Sequence, residues 1–158
     1  MRRTRAWWTC AGVAAIVALA TAVAVGGPDG RAPELVVIVH ATNPVALADV
    51  SLEGVFLRRV VEWPSGDRII PLNAATDSGP RQRFDRAVLA MSPEAAARYW
   101  LDARIRSGVA PPREVGDPAL TVRLVARLPG TIGYVPADTP RDGVRVIARI
   151  RDDRVGAP

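Results

Sequence analysis

The run Leu35-Val36-Val37-Ile38-Val39 restricts the fold more than any other stretch, because it sets five apolar residues side by side, four of them β-branched. A strand with one wetted face alternates apolar and polar residues, whereas an unbroken β-branched run is covered on both faces. Covering both faces takes layers of helices on a sheet, so the run predicts an α/β domain built on a parallel or mixed sheet. The strand ends at the polar turn His40-Ala41-Thr42-Asn43-Pro44.

The rest of the chain supplies the expected helices and further strands. Ser51 is placed to cap a helix carrying Leu52, Val55 and Phe56 on one face, with Arg58 and Arg59 near its end. After a turn at Trp63–Asp67, residues 68–72 read as a second short strand, and strand, helix, strand predicts a βαβ-like unit with a right-handed crossover. Ser92-Pro93-Glu94 opens a helix with the stripe Ala96, Tyr99, Trp100 and Ala103, closed at Ser107-Gly108. An aromatic pair at that spacing reads as core rather than as a ligand platform. Asp117-Pro118 opens another helix, with Leu120, Leu124, Val125 and Leu128 expected inward and Pro129-Gly130 as its stop. Residues 131–135 read as a strand. Val144, Val146, Ala148 and Ile150, alternating with Arg145, Ile147 and Arg149, predict a last strand. Residues 152–158 are expected to form a flexible tail.

Chemistry concentrates at Thr76-Asp77-Ser78-Gly79-Pro80-Arg81-Gln82-Arg83-Phe84. Ser78 or Asp77 can cap a helix there, Pro80 suits its first position, and Phe84, Ala87, Val88 and Met91 share its buried face. Free N–H groups, a helix dipole, a hydroxyl and arginines make an anion site, and the same residues make an ordinary capped helix. The turn follows the second strand, and ligands of open α/β sheets bind outside the carboxyl ends of strands.

Arg2, Arg3 and Arg5 precede an uncharged stretch from Ala6 to Val25, which is followed by Gly26-Gly27-Pro28-Asp29-Gly30. With the small-x-small site Ala22-Val23-Ala24, this predicts a signal peptide over 1–24, an alternative being an uncleaved membrane anchor over 6–25. A linker over 25–33 and a domain over 34–151 follow, in an exported, periplasmic or extracytoplasmic protein. The single cysteine, Cys10, falls in the apolar segment, so disulfide and thiolate chemistry are excluded from the domain. The net charge is +5, and setting aside the three N-terminal arginines leaves +2. All 21 basic residues are arginine, scattered along the chain with few aromatics between them, so nucleic acid is not expected as a partner. Ser78, the lone His40 and an aspartate do not show nucleophile-elbow spacing, and no metal-ligand cluster is visible. The chain is therefore expected to be neither an enzyme nor the holder of a metal or cofactor.

Four stretches, in order, resemble the phosphate-type substrate-binding proteins of ABC transporters, with the type 2 periplasmic-binding fold. They are residues 37–45, with the strand running into Asn43-Pro44-Val45; Leu52–Leu57 followed by Trp63-Pro64-Ser65-Gly66; Asp77-Ser78-Gly79-Pro80-Arg81 leading to Phe84, similar to the family's Ser-Gly-Thr-Arg loop; and Pro129-Gly130-Thr131-Ile132-Gly133-Tyr134. The resemblance implies an α/β domain with a mixed sheet flanked by helices and a small oxyanion, phosphate first, as ligand. Ser78, Gly79 and Arg81 are the implied contacts, with Asp77 beside them and Thr42 and Asn43 from the end of the first strand. It also implies a membrane transporter or sensor as partner. The chain departs from the family in having the length of one lobe and in Pro80, which stands where the family carries threonine. Those departures leave an alternative, an interaction or structural domain that keeps the fold without the ligand.

Overall fold

A computed structural model describes residues 33–158. The expected signal peptide or anchor, and the linker up to residue 32, lie outside the described residues. The strands are β1 (Leu35–His40), β2 (Ile70–Asn73), β3 (Arg113–Glu114), β4 (Thr131–Pro136), β5 (Val144–Arg151) and β6 (Arg154–Gly156). The helices are α1 (Leu52–Phe56), α2 (Gly79–Leu89), α3 (Pro93–Ser107) and α4 (Pro118–Arg127), with a short 3-10 turn at Leu47–Asp49.

The strands form one mixed sheet in the order β3-β2-β4-β1-β5-β6. The β-branched run becomes β1, near the middle of the sheet, with Leu35 to Val39 all buried. One face of β1 presents Leu35, Val37 and Val39 to a core shared with Phe56 of α1, Phe84 of α2 and Trp100 of α3. The other face presents Val36 and Ile38 to a smaller core closed by Val122 and Val125 of α4. Helices on both faces are what the unbroken run demanded.

The helix starts follow their caps. Ser51, Ser78, Ser92 and Asp117 each accept a backbone N–H from the first turn of the helix they precede, and Pro follows in α2, α3 and α4. Gly108 ends α3 at φ 66°.

Four expectations are corrected. First, β2 is parallel to β4, β1 is antiparallel to β4, and β4 lies between them, so β1 and β2 form no βαβ crossover. A crossover must carry the chain back along the sheet, roughly 20 Å for a strand like β1. Helix α1, of five residues, advances only about 7.5 Å. The chain therefore re-enters the sheet at the end where β1 left it, with Pro71 level with Ile132 and Ile132 level with Val39.

Second, α4 buries Thr121, Val122 and Val125, while Leu120 and Leu128 are 39% and 46% exposed. The inward face lies about one residue round from the leucine stripe. Third, the alternation of β5 is broken by a bulge: Val37 pairs with Ala148, but Ile38 pairs with Val146. Ile147, Ala148 and Ile150 join the larger core and Val144 and Val146 the smaller one, since one extra residue exchanges the faces. Fourth, the expected tail turns back. Asp152 and Asp153 take φ of 47° and 56°, the two left-handed residues of a tight hairpin, and β6 pairs with β5.

Candidate functional site

Strand β2 delivers Asn73 to the start of the loop expected to bind an anion. Asn73 is buried, and its Oδ1 accepts from the Tyr134 hydroxyl at 3.4 Å. The same hydroxyl accepts from the Ala74 N–H at 3.2 Å. The Tyr134 ring lies stacked on Phe84, 3.9 Å between centroids. Burial pushes the Tyr134 hydroxyl far above its ordinary range, so it stays a neutral donor. The loop is thus tied to the aromatic core at its root.

Ser78 is used as a cap. Its Oγ donates to the Ala75 carbonyl at 2.7 Å and accepts from the Arg81 N–H at 3.3 Å. The Ser78 N–H goes to Ala75, the Gln82 N–H goes to the Ser78 carbonyl, and Pro80 has no N–H. Gly79 alone keeps a backbone donor without an acceptor among the described residues at this helix start, and it is exposed. Asp77 is exposed beside it.

Arg81 turns inward. It is 6% exposed, and its Nε donates to both oxygens of Asp85, at 3.0 and 2.8 Å. Burial pushes the Asp85 carboxyl up from its ordinary range, while the Arg81 guanidinium pulls the other way. The two Nη groups of Arg81 have no acceptor among the described residues. Arg81 and Asp85 line a cavity of about 380 Å³ between α2, α3 and the strand β3. Trp100 and Pro112 supply apolar wall, and Thr76 and Glu114 stand at its polar side, joined by a Thr76 hydroxyl donating to Glu114 Oε2 at 2.8 Å. The Trp100 indole N–H is buried without an acceptor.

Thr42 and Asn43 lie elsewhere. They follow the carboxyl end of β1, and β1 runs opposite to β2, so they sit at the far end of the sheet from Ser78 and Arg81. Thr42 Oγ1 pairs with His40 Nδ1 at 2.8 Å, and Asn43 Oδ1 accepts the Val45 N–H at 3.0 Å. The Asn43 carbonyl accepts from Arg145 Nε at 3.0 Å. Both residues build the turn after β1. His40 and Ser78 are likewise separated by the sheet, so no Ser–His pair is assembled.

The structure therefore brings together Ser78, Gly79, Asp77 and the backbone of Arg81, and carries the Arg81 side chain into a neighbouring cavity. Sequence reasoning missed Asp85, Glu114 and the cavity itself. Asp85 was within reach of an i,i+4 charge rule from Arg81. Glu114 arrives by the β2–β3 pairing, which has no local signal.

No family model matches the sequence, and no curated protein matches it. Among solved structures, an ABC-type phosphate transport receptor from Vibrio cholerae superimposes with a TM-score of 0.57 at 18% identity, over 73% of this chain and 45% of that one. A protein from Clostridium perfringens described as a phosphate ABC transporter substrate-binding protein, solved with phosphate bound, gives a TM-score of 0.56 at 17% identity, over 74% of this chain and 46% of that one. The chain spans under half the length of each receptor. Residues 33–158 thus have the fold of the phosphate-type ABC transporter substrate-binding proteins, as a single α/β lobe with a mixed sheet flanked by helices.

Proposed function

We propose that this chain is an exported solute-binding domain that holds a small oxyanion, phosphate first, against the Nη groups of Arg81, working with a membrane transporter or sensor. The observation that carries the proposal is a buried guanidinium with two unoccupied donor groups at the wall of a cavity. A guanidinium fork matches the geometry of an oxyanion. The two solved receptors, one with phosphate bound, support the class of ligand.

The cavity wall holds one positive and two negative side chains, Arg81 against Asp85 and Glu114. Such a wall repels a fully ionised anion and accepts hydrogen bonds from a protonated one. Phosphate keeps an O–H near neutral pH and sulfate does not, so phosphate is preferred and binds better as pH falls toward the monoanion. Ser78 acts beside this site by holding the turn that leads into it, and Asp77 and Gly79 are exposed in the same turn without lining the cavity.

The test is calorimetric titration of phosphate into the full chain in a non-ionic detergent, with sulfate as control. The double variant Arg81→Gln with Asp85→Asn keeps the buried pair neutral and removes the charge. Saturable phosphate binding, absent for sulfate and weakened at least about tenfold in the double variant, is the expected result. Equal binding by the variant overturns the assignment to Arg81. No binding of either anion leaves the fold as an interaction domain.

A further inference from the structure

We infer a second anion site, on the other side of the Pro111–Arg113 segment from the Arg81 cavity. A groove of about 590 Å³ lies there, between the end of α1, the start of β2 and strand β3. Three arginines line it, Arg58, Arg68 and Arg113, and no acidic residue does. None of the three has a carboxylate partner among the described residues. Three like charges gathered from three separate segments repel one another, and a multivalent anion relieves that repulsion.

The backbone at Arg58 gives an independent observation. Arg58 takes φ 60° just past the end of α1, where the Arg59 and Val60 N–H groups both return to the Gly54 carbonyl. That left-handed position is the customary place for glycine, because a Cβ is strained there. Helix α3 uses Gly108 for the same purpose at φ 66°, and Gly108 lines the same groove. Ala90 takes the same conformation at the end of α2, so what sets Arg58 apart is that it is half-buried, without a carboxylate partner, and lines the groove.

The floor of the groove is partly apolar, with Ile70 42% exposed beside Pro71. Pro71 has no N–H to offer an added strand, which argues against a peptide pairing with this edge. The ligand class is a soluble multivalent oxyanion carrying two or more phosphate or carboxylate groups, gripped by guanidinium forks. A single phosphate engages at most part of the triad.

The experiment uses the full chain in a non-ionic detergent, with inorganic tripolyphosphate and citrate as probes, titrated at low and high sodium chloride. Saturable binding that weakens with salt is expected. Arg68→Gln and Arg113→Gln each weaken it by about tenfold, and the triple variant with Arg58→Gly abolishes it. Arg58→Gly separates the two roles of that residue: it weakens binding while leaving the Tm unchanged or raised, because glycine relieves the backbone. The Arg81→Gln with Asp85→Asn variant binds tripolyphosphate as the parent does, so the two sites fail or stand separately. Tripolyphosphate and citrate affinities that are equal in the triple variant and the parent overturn the inference, as does no binding of either probe by the parent.

Discussion

At the scale of single residues, Arg81 shows how far a side chain can depart from its place in the sequence. It follows the serine–glycine turn that the sequence marks as an anion loop, yet its guanidinium lies inside the fold against Asp85. Truncating one member of a buried pair leaves the other as an uncompensated charge. Arg81→Ala is expected to destabilise the domain by about 3 to 5 kcal/mol, and the double change Arg81→Leu with Asp85→Leu by far less. Urea denaturation of the single and double variants checks this, and equal losses would contradict the pairing. Gly130 gives a second residue-scale case. It has φ +87°, and a Cβ there would stand 2.5 Å from the Arg68 carbonyl oxygen. Its carbonyl also accepts the Trp63 indole N–H at 3.1 Å. Gly130→Ala is expected to cost about 2 kcal/mol or more, seen as a lowered denaturation midpoint.

At the scale of elements, the helices were the most legible part. Each cap is a local event: a hydroxyl or carboxylate three residues or fewer from the N–H it accepts, followed by a proline that needs no donor. The same locality makes a prediction. Ser78→Ala removes the acceptor of the Arg81 N–H and the donor to Ala75, and is expected to cost about 1 kcal/mol by thermal denaturation. It also loosens the turn beside the proposed phosphate site, so phosphate affinity falls with it. Leucines at helical spacing predict an inward face through Leu120 of α4 and Leu128 at its end, but Thr121 takes the buried position and donates its hydroxyl to the Asp117 carbonyl at 3.2 Å. A threonine that satisfies itself within the helix can be buried, and the leucine stripe cannot report that. The bulge at Ile147 was invisible for a related reason: a bulge is a property of two strands, and the alternation of β5 describes only one.

At the scale of the whole molecule, the ends of the described chain are joined by charge. Glu34, just before β1, bonds Arg149 at 3.0 Å and pairs with Arg151 at 3.0 Å across the sheet. Burial alone would raise its carboxyl, but the hydrogen bonds and charges of the two arginines prevail and hold it below the ordinary range. A depressed carboxyl contributes stability above its unfolded value, and that stability is lost as pH falls through the folded value. The chain is therefore expected to lose stability below about pH 4.3 more steeply than its Glu34→Gln variant. Denaturation midpoints measured between about pH 3 and 6 decide the matter, and parallel curves would exclude the linkage. By itself the sequence determined the elements: a doubly covered strand from unbroken β-branched residues, helix starts from caps and prolines, and turns from glycine. These rest on interactions within a few residues, so their signals are written side by side. The tertiary structure alone decided that β4 separates β1 from β2, that β6 closes a hairpin onto β5, that Thr42 and Asn43 lie at the opposite end of the sheet from Ser78, and that Glu114 lines the same cavity as Arg81. Strand order and direction are set by which faces can be buried together across long separations in the chain, and no local pattern of residues encodes that choice.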